Sequence, residues 1–162
     1  MIYKTQKLIK AAIFSAIICV ATLIIQVPSP LKGNINLGDA AVLLAGLYLS
    51  CGYGFMSAAI GSALADVISG YILYAPATFF IKGAMAILMN VLFKLTSKKL
   101  NKFIAIILSG LCAEILMIAG YFIFEGFIYG FGTALLNIPF NAIQAGASLA
   151  AATVIGCQLK VK

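Results

Sequence analysis

The chain has no histidine, no tryptophan and no arginine, and only four acidic residues in 162. With histidine missing, and Cys19, Cys51, Cys112 and Cys157 each alone in an apolar segment, zinc and haem sites have few possible ligands. The cysteines read as small buried hydrophobes. No GxxxxGK[ST] is present to cradle ATP phosphates, and no GxSxG or HExxH to support hydrolase or zinc-protease chemistry. An enzyme is disfavoured on these grounds, and no metal or cofactor is expected in this chain. Charge is the scarcest property: 9% of residues are charged and 64% are hydrophobic, with a mean hydropathy of +1.13. A soluble domain carries about a quarter charged residues, so much of this chain must use lipid as its solvent.

What is present is a series of apolar runs. Six candidate membrane helices lie at about 5–27, 37–50, 52–70, 76–96, 102–125 and 133–159, within a single domain over 1–162. A span needs roughly 20 residues to cross about 30 Å of hydrocarbon, so the second is short. The first apolar run, 11–27, lacks a small-x-small cleavage site and is long enough to span, which fits a signal peptide poorly. No alternating barrel pattern occurs, and backbone in lipid must satisfy its own hydrogen bonds, so the spans are helices. Turn chemistry separates them at "VPSPLKGNIN", "SCGYG", "SGYILYAP", "KLTSKKLNK" and "FEGFIYGFG", with Pro76 suited to the first turn of a helix.

The net charge of +7 is all lysine in origin. Lys4, Lys7, Lys10, Lys94, Lys98, Lys99, Lys102, Lys160 and Lys162 fall on one side of a six-span chain. The other side keeps Lys32, and Lys82 lies inside the fourth helix. Positive charge favours the cytoplasmic face. The expected fold is therefore an all-α integral membrane protein of six helices with both termini cytoplasmic, and the basic balance points to a membrane rather than to nucleic acid.

Polar residues inside the apolar runs gather at the outer level. Asp66 and Lys82 flank the outer loop between helices 3 and 4, close enough in an antiparallel pair to approach each other. They read as a salt bridge, as the wall of a ligand cavity, or as both. Asn36 and Asp39 open helix 2, where Asn36 could instead cap the helix. Tyr121 and Glu125 close helix 5. Asn137, Asn141 and Gln144 share one face of helix 6, where they serve a ligand or bond to neighbouring helices. Tyr71, Tyr74 and Tyr129 form an aromatic belt or stack on a flat ligand. Glu114 lies deeper, near mid-span, and is not assigned to the ligand. The candidate substrate contacts are Asn36, Asp39, Asp66, Tyr74, Thr78, Lys82, Tyr121, Asn137, Asn141 and Gln144. Polar lining at one level only describes an outward cup rather than a pore. It suits an uncharged or zwitterionic ligand with a flat ring and several hydrogen-bonding edges. A channel or independent secondary transporter for a small polar solute is the alternative; the two halves carry no matching motif of the kind inverted repeats leave.

Small residues recur every four positions: Ala12 and Ala16 in helix 1, Ser57, Gly61 and Ala65 in helix 3, Ala142, Gly146 and Ala150 in helix 6. Such faces allow close helix packing. Intramolecular packing accounts for those in helices 3 and 6, whereas the face on helix 1 is free to dock another protein.

The stretches "GDA", "ADVISGY" and "YAPATFFIKG", with six spans in about 160 residues and AxxxA in helix 1, resemble the substrate-binding S component of energy-coupling factor (ECF) vitamin transporters, in the riboflavin- or hydroxymethylpyrimidine-type branch. The resemblance implies an outward vitamin pocket capped by the loop 28–36. It also implies a transmembrane T component docked at Ala12 and Ala16, and two cytosolic ATPases that use the ATP. Delivery would follow toppling of the whole subunit. Lacking tryptophan, the chain fits thiamin less well. Hydroxymethylpyrimidine or a pyridoxine-like ring is preferred, and riboflavin comes next.

Overall fold

The structure is a computed structural model and describes residues 2–24, 26–28 and 34–159. Lys32, Lys160, Lys162 and the middle of the loop 28–36 lie outside the described residues. Helices carry the fold: α1 Ile2–Ile24, α2 Gly38–Tyr48, α3 Cys51–Ile68, α4 Ala75–Thr96, α5 Lys102–Tyr129, α6 Phe131–Ala134 and α7 Ile138–Gln158. A 3-10 turn, Leu135–Asn137, joins α6 to α7. A short antiparallel ribbon pairs β1 Val27–Pro28 with β2 Asn34–Ile35.

Five stretches are long and apolar enough to cross a bilayer, the last running from Phe131 to Gln158 through α6 and α7. Helix α2 is the exception. Its 11 residues rise roughly 16 Å, about half the hydrocarbon thickness. It has almost no lipid face, because nine of those residues are buried against α1, α3, α4 and α7. The last carbonyls of a helix have no intrahelical partner. Asn90 of α4 supplies the donor, its amide reaching Gly46 O and Leu49 O, each at 2.7 Å. The sequence gives no sign of this role for Asn90.

Glycine sets two of the helix contacts. A Cβ at Gly46 would meet Ala86 O at 2.6 Å, so α2 lies backbone to backbone on α4. A Cβ at Gly61 would meet Ser15 O at 2.5 Å, and Ser57 Oγ donates to Ala11 O at 2.8 Å. The small face of α3 thus packs on α1, as its spacing suggests. The matching face of α7 does not pack: Ala142, Gly146 and Ala150 are exposed, and a Cβ at Gly146 would meet nothing within 4 Å. The expectation that this face seals the bundle is corrected; α7 turns Gln144, Ala145, Ser148 and Ala152 inward instead. Cys112 and Cys157 are also exposed rather than buried.

Two expected breaks move. The helix α5 continues through "FEGFIY" and stops at Gly130, whose φ of +88° only glycine adopts easily. This keeps Glu125 on a rigid helix rather than in a loop. The "SCGYG" turn contracts to Leu49 and Ser50, with α3 already under way at Cys51. Asn101 caps α5 as an Asn before a helix does, accepting from Ile104 N at 2.9 Å.

The ends of the bundle differ in charge. At one end, Lys94, Lys98 and Lys102 border one surface groove and Lys7 and Lys10 another. There Lys102 Nζ donates to Cys157 O at 3.2 Å at the close of α7. Asp39, Asp66, Lys82 and Glu125 lie toward the other end of their helices, with Asn36 just before α2.

Candidate substrate pocket

Five helices meet at the lysine-poor end. The start of α2 brings Asp39, the end of α3 Asp66, and the start of α4 Thr78 and Lys82. The end of α5 brings Tyr121 and Glu125, and the turn into α7 brings Asn137, Asn141 and Gln144. Between them is a small cavity, with about 440 Å³ of empty space when its open mouth is counted in. Nine of the ten expected substrate contacts line it: Asn36, Asp66, Tyr74, Thr78, Lys82, Tyr121, Asn137, Asn141 and Gln144.

Asp39 is the tenth and sits behind the wall, with no exposed surface. It is the true partner of Lys82: the ammonium donates to Asp39 Oδ1, and the Gln144 amide donates to Asp39 Oδ2 at 2.6 Å. The expected Asp66–Lys82 salt bridge is therefore corrected, whereas the expected approach holds: both line the cavity, within electrostatic reach of each other. Helix α2 packs between α4 and α7 and places Asp39 at its own N-terminus, where the helix dipole also favours a negative charge. Two donors and a helix end together satisfy a carboxylate that burial would otherwise penalise. Gln144 is fully engaged, since its oxygen accepts from Asn36 N at 2.9 Å. The Asn36 side chain accepts from Gly38 N at 2.9 Å, a local cap of the kind its position suggests, while the residue still borders the cavity.

The rim is built from α4, α5 and the turn before α7. Asn137 Nδ2 donates to Glu125 Oε1 at 2.6 Å, and Tyr74 OH reaches the same oxygen at 3.4 Å. Thr78 and Tyr121 share a hydrogen bond at 3.0 Å. The Lys82 ammonium lies 5.2 Å from the Tyr121 ring centroid, and Tyr74 packs on Phe124 at 5.2 Å. Glu125 and Tyr71 line the cavity although they are not among the ten expected contacts. For Glu125 a signal existed, because any carboxylate in so apolar a chain needs a reason to be there. Tyr129 lies outside the cavity wall. Gln26 Nε2 donates to Ser69 Oγ at 2.7 Å and ties the chain after α1 to the end of α3.

All four acids of the chain, Asp39, Asp66, Glu114 and Glu125, belong to this end or to the layer beneath it, with one lysine of eleven among them. Glu114 is 1% exposed and lies within electrostatic reach of Asp39 and Lys82, and neither of its oxygens has a partner among the described residues. On the flank, Ala12 and Ala16 are exposed and line an apolar groove between α1 and α3 with Leu8, Met56 and Ile60.

A bundle of lipid-facing helices with one polar cup at one end is a membrane-embedded solute-binding protein. Residues 2–161 match the family described as the ECF-type riboflavin transporter, S component, and the chain belongs to that family. It is accordingly a multi-pass cell-membrane protein and a substrate-binding component of a transporter; the family is not an enzyme family. A protein of Pyrococcus woesei, described as an uncharacterized protein in the gap 3' region, is 29% identical over 144 residues, covering 88% of this chain and 94% of its own. The crystal structure at 2.1 Å of the S-component for biotin from an ECF-type ABC transporter is similar in fold. Its TM-score is 0.61 at 20% identity, over 97% of this chain and 94% of that one.

Proposed function

We propose that the chain captures a small, flat heterocyclic vitamin or precursor from outside the cell and passes it inward as the specificity subunit of an ECF importer. The cavity carries this reading: polar side chains of α3, α4, α5 and α7 line it together with Asn36, and Asp39 of α2 backs them through Lys82 and Gln144. Its tyrosines offer stacking faces and its amides offer hydrogen-bonding edges. The lysine-rich end faces the cytoplasm by the positive-inside rule, so the cavity opens outward and both termini are inside. Riboflavin is the solute in the family's description. The narrow cavity favours a single ring such as hydroxymethylpyrimidine or a pyridoxine-like compound, with riboflavin next.

Energy would come from partners. A transmembrane T component would dock on the Ala12–Ala16 groove, and two cytosolic ATPases would use the ATP, leaving this chain without a cofactor of its own. Tilting of the whole subunit in the membrane would turn the cup inward. Proteoliposomes holding this chain with and without its T component and ATPases test the reading. ATP-dependent uptake that needs all the partners supports it. Uptake by this chain alone, driven by an ion gradient, would make it an independent secondary transporter.

A further inference from the structure

The hydrogen bonds at the cavity are lopsided. Among the described residues, Lys82 and the Gln144 amide donate to Asp39, and the Asn137 amide and the Tyr74 hydroxyl donate to Glu125. Three buried oxygens have no partner there: Asp66 Oδ2, Glu125 Oε2 and Asn137 Oδ1. All three residues line the cavity. The Asn137 orientation follows from chemistry, since a carboxylate oxygen only accepts. The amide nitrogen must therefore face Glu125, which leaves its oxygen for the cavity. A buried acceptor without a donor costs roughly 1–3 kcal/mol, and three around one cavity ask for a ligand that supplies hydrogen-bond donors. Charge agrees. Lys82 is bonded to Asp39, so among the described residues Asp66 and Glu125 form no ion pair of their own, although Lys82 lies within electrostatic reach of Asp66.

Resting on the reading of this cavity as the substrate site, we infer that its ligand is an amine-bearing heteroaromatic ring, neutral or protonated, which donates hydrogen bonds to Asp66, Glu125 and Asn137. A ligand carboxylate is disfavoured beside Asp66 and Glu125, because it would set negative charge against two acids.

Matched pairs test this on the purified full chain by titration calorimetry. One pair is 4-amino-5-hydroxymethyl-2-methylpyrimidine and its 4-hydroxy analogue; the other is pyridoxamine and pyridoxine. Riboflavin and biotin complete the panel. In at least one pair the amine should bind about tenfold or more tightly than its partner, since hydrogen bonds to charged groups are worth that much. Asp66→Asn and Glu125→Gln, which keep shape and remove charge, should shrink the ratio within the pair; a merely structural loss would weaken both members alike. Equal affinities, a preference for the hydroxyl member, or a ratio unmoved by both substitutions would overturn the inference. If neither pair binds while riboflavin or biotin does, the amine class is wrong and the cavity remains the substrate site. If nothing in the panel binds and no heterocycle co-purifies, the reading of the cavity falls with it.

Discussion

Lys82 is held by Asp39, from the helix α2 that packs directly on α4, and Asp66 is left facing the cavity with a free oxygen. This divides the acids by task. Asp39 holds the floor of the cup in place, and Asp66 remains available to a ligand.

The pair should behave as a structural unit. Lys82→Met leaves Asp39 buried against the Gln144 amide alone, and breaking a buried pair from one side costs about 3–5 kcal/mol. Thermal unfolding in detergent should drop accordingly. The double variant Asp39→Asn with Lys82→Met should recover much of the loss, because no uncompensated charge remains. If the double variant is no better than the single one, the pair is not what holds the floor.

Asn90 carries a prediction that concerns stability alone. Asn90→Leu strands Gly46 O and Leu49 O inside the bundle, at roughly 1–3 kcal/mol for each unsatisfied group. Stability should fall while ligand affinity per folded molecule stays put. Unchanged melting would mean that water reaches the end of α2.

Two glycines on similar small-residue faces should respond in opposite ways. Gly61→Leu forces α1 from α3 against Ser15 O and should cost about 1–3 kcal/mol or more. Gly146→Leu has open space and should leave the isolated chain as stable as before. Equal melting temperatures for the two variants would contradict the packing described.

On the flank, Ala12→Trp fills the α1–α3 groove without touching the cavity. Ligand binding should persist and co-purification with the T component should weaken. A complex that forms as before would place the T component elsewhere.

Much of this was legible in one sequence because lipid is an exacting solvent. Apolar runs, Pro76 and the lysine asymmetry mark helices and ends by rules that do not depend on the neighbours a helix finds. The composition of the cup was legible too, since a polar side chain at that depth needs a partner or a purpose. Pairings were not. Whether Lys82 meets Asp66 or Asp39 depends on how α2 inserts between α4 and α7, and an 11-residue helix gives little pattern to read. Small-residue spacing likewise marks a face able to pack, not one that does: α3 uses its face and α7 leaves its face open. Asn90 escaped notice because its work is on the backbone of another helix.

The central claim is that the cup between the five helices is where the solute sits. Native mass spectrometry of the purified chain, beside an Asn141→Trp variant that fills the cavity from α7, tests it most directly. The account predicts one small heterocyclic molecule bound to the unaltered chain and none to the folded variant. A solute retained by Asn141→Trp, or a chain that never carries one in cells supplied with the vitamin panel, would contradict it.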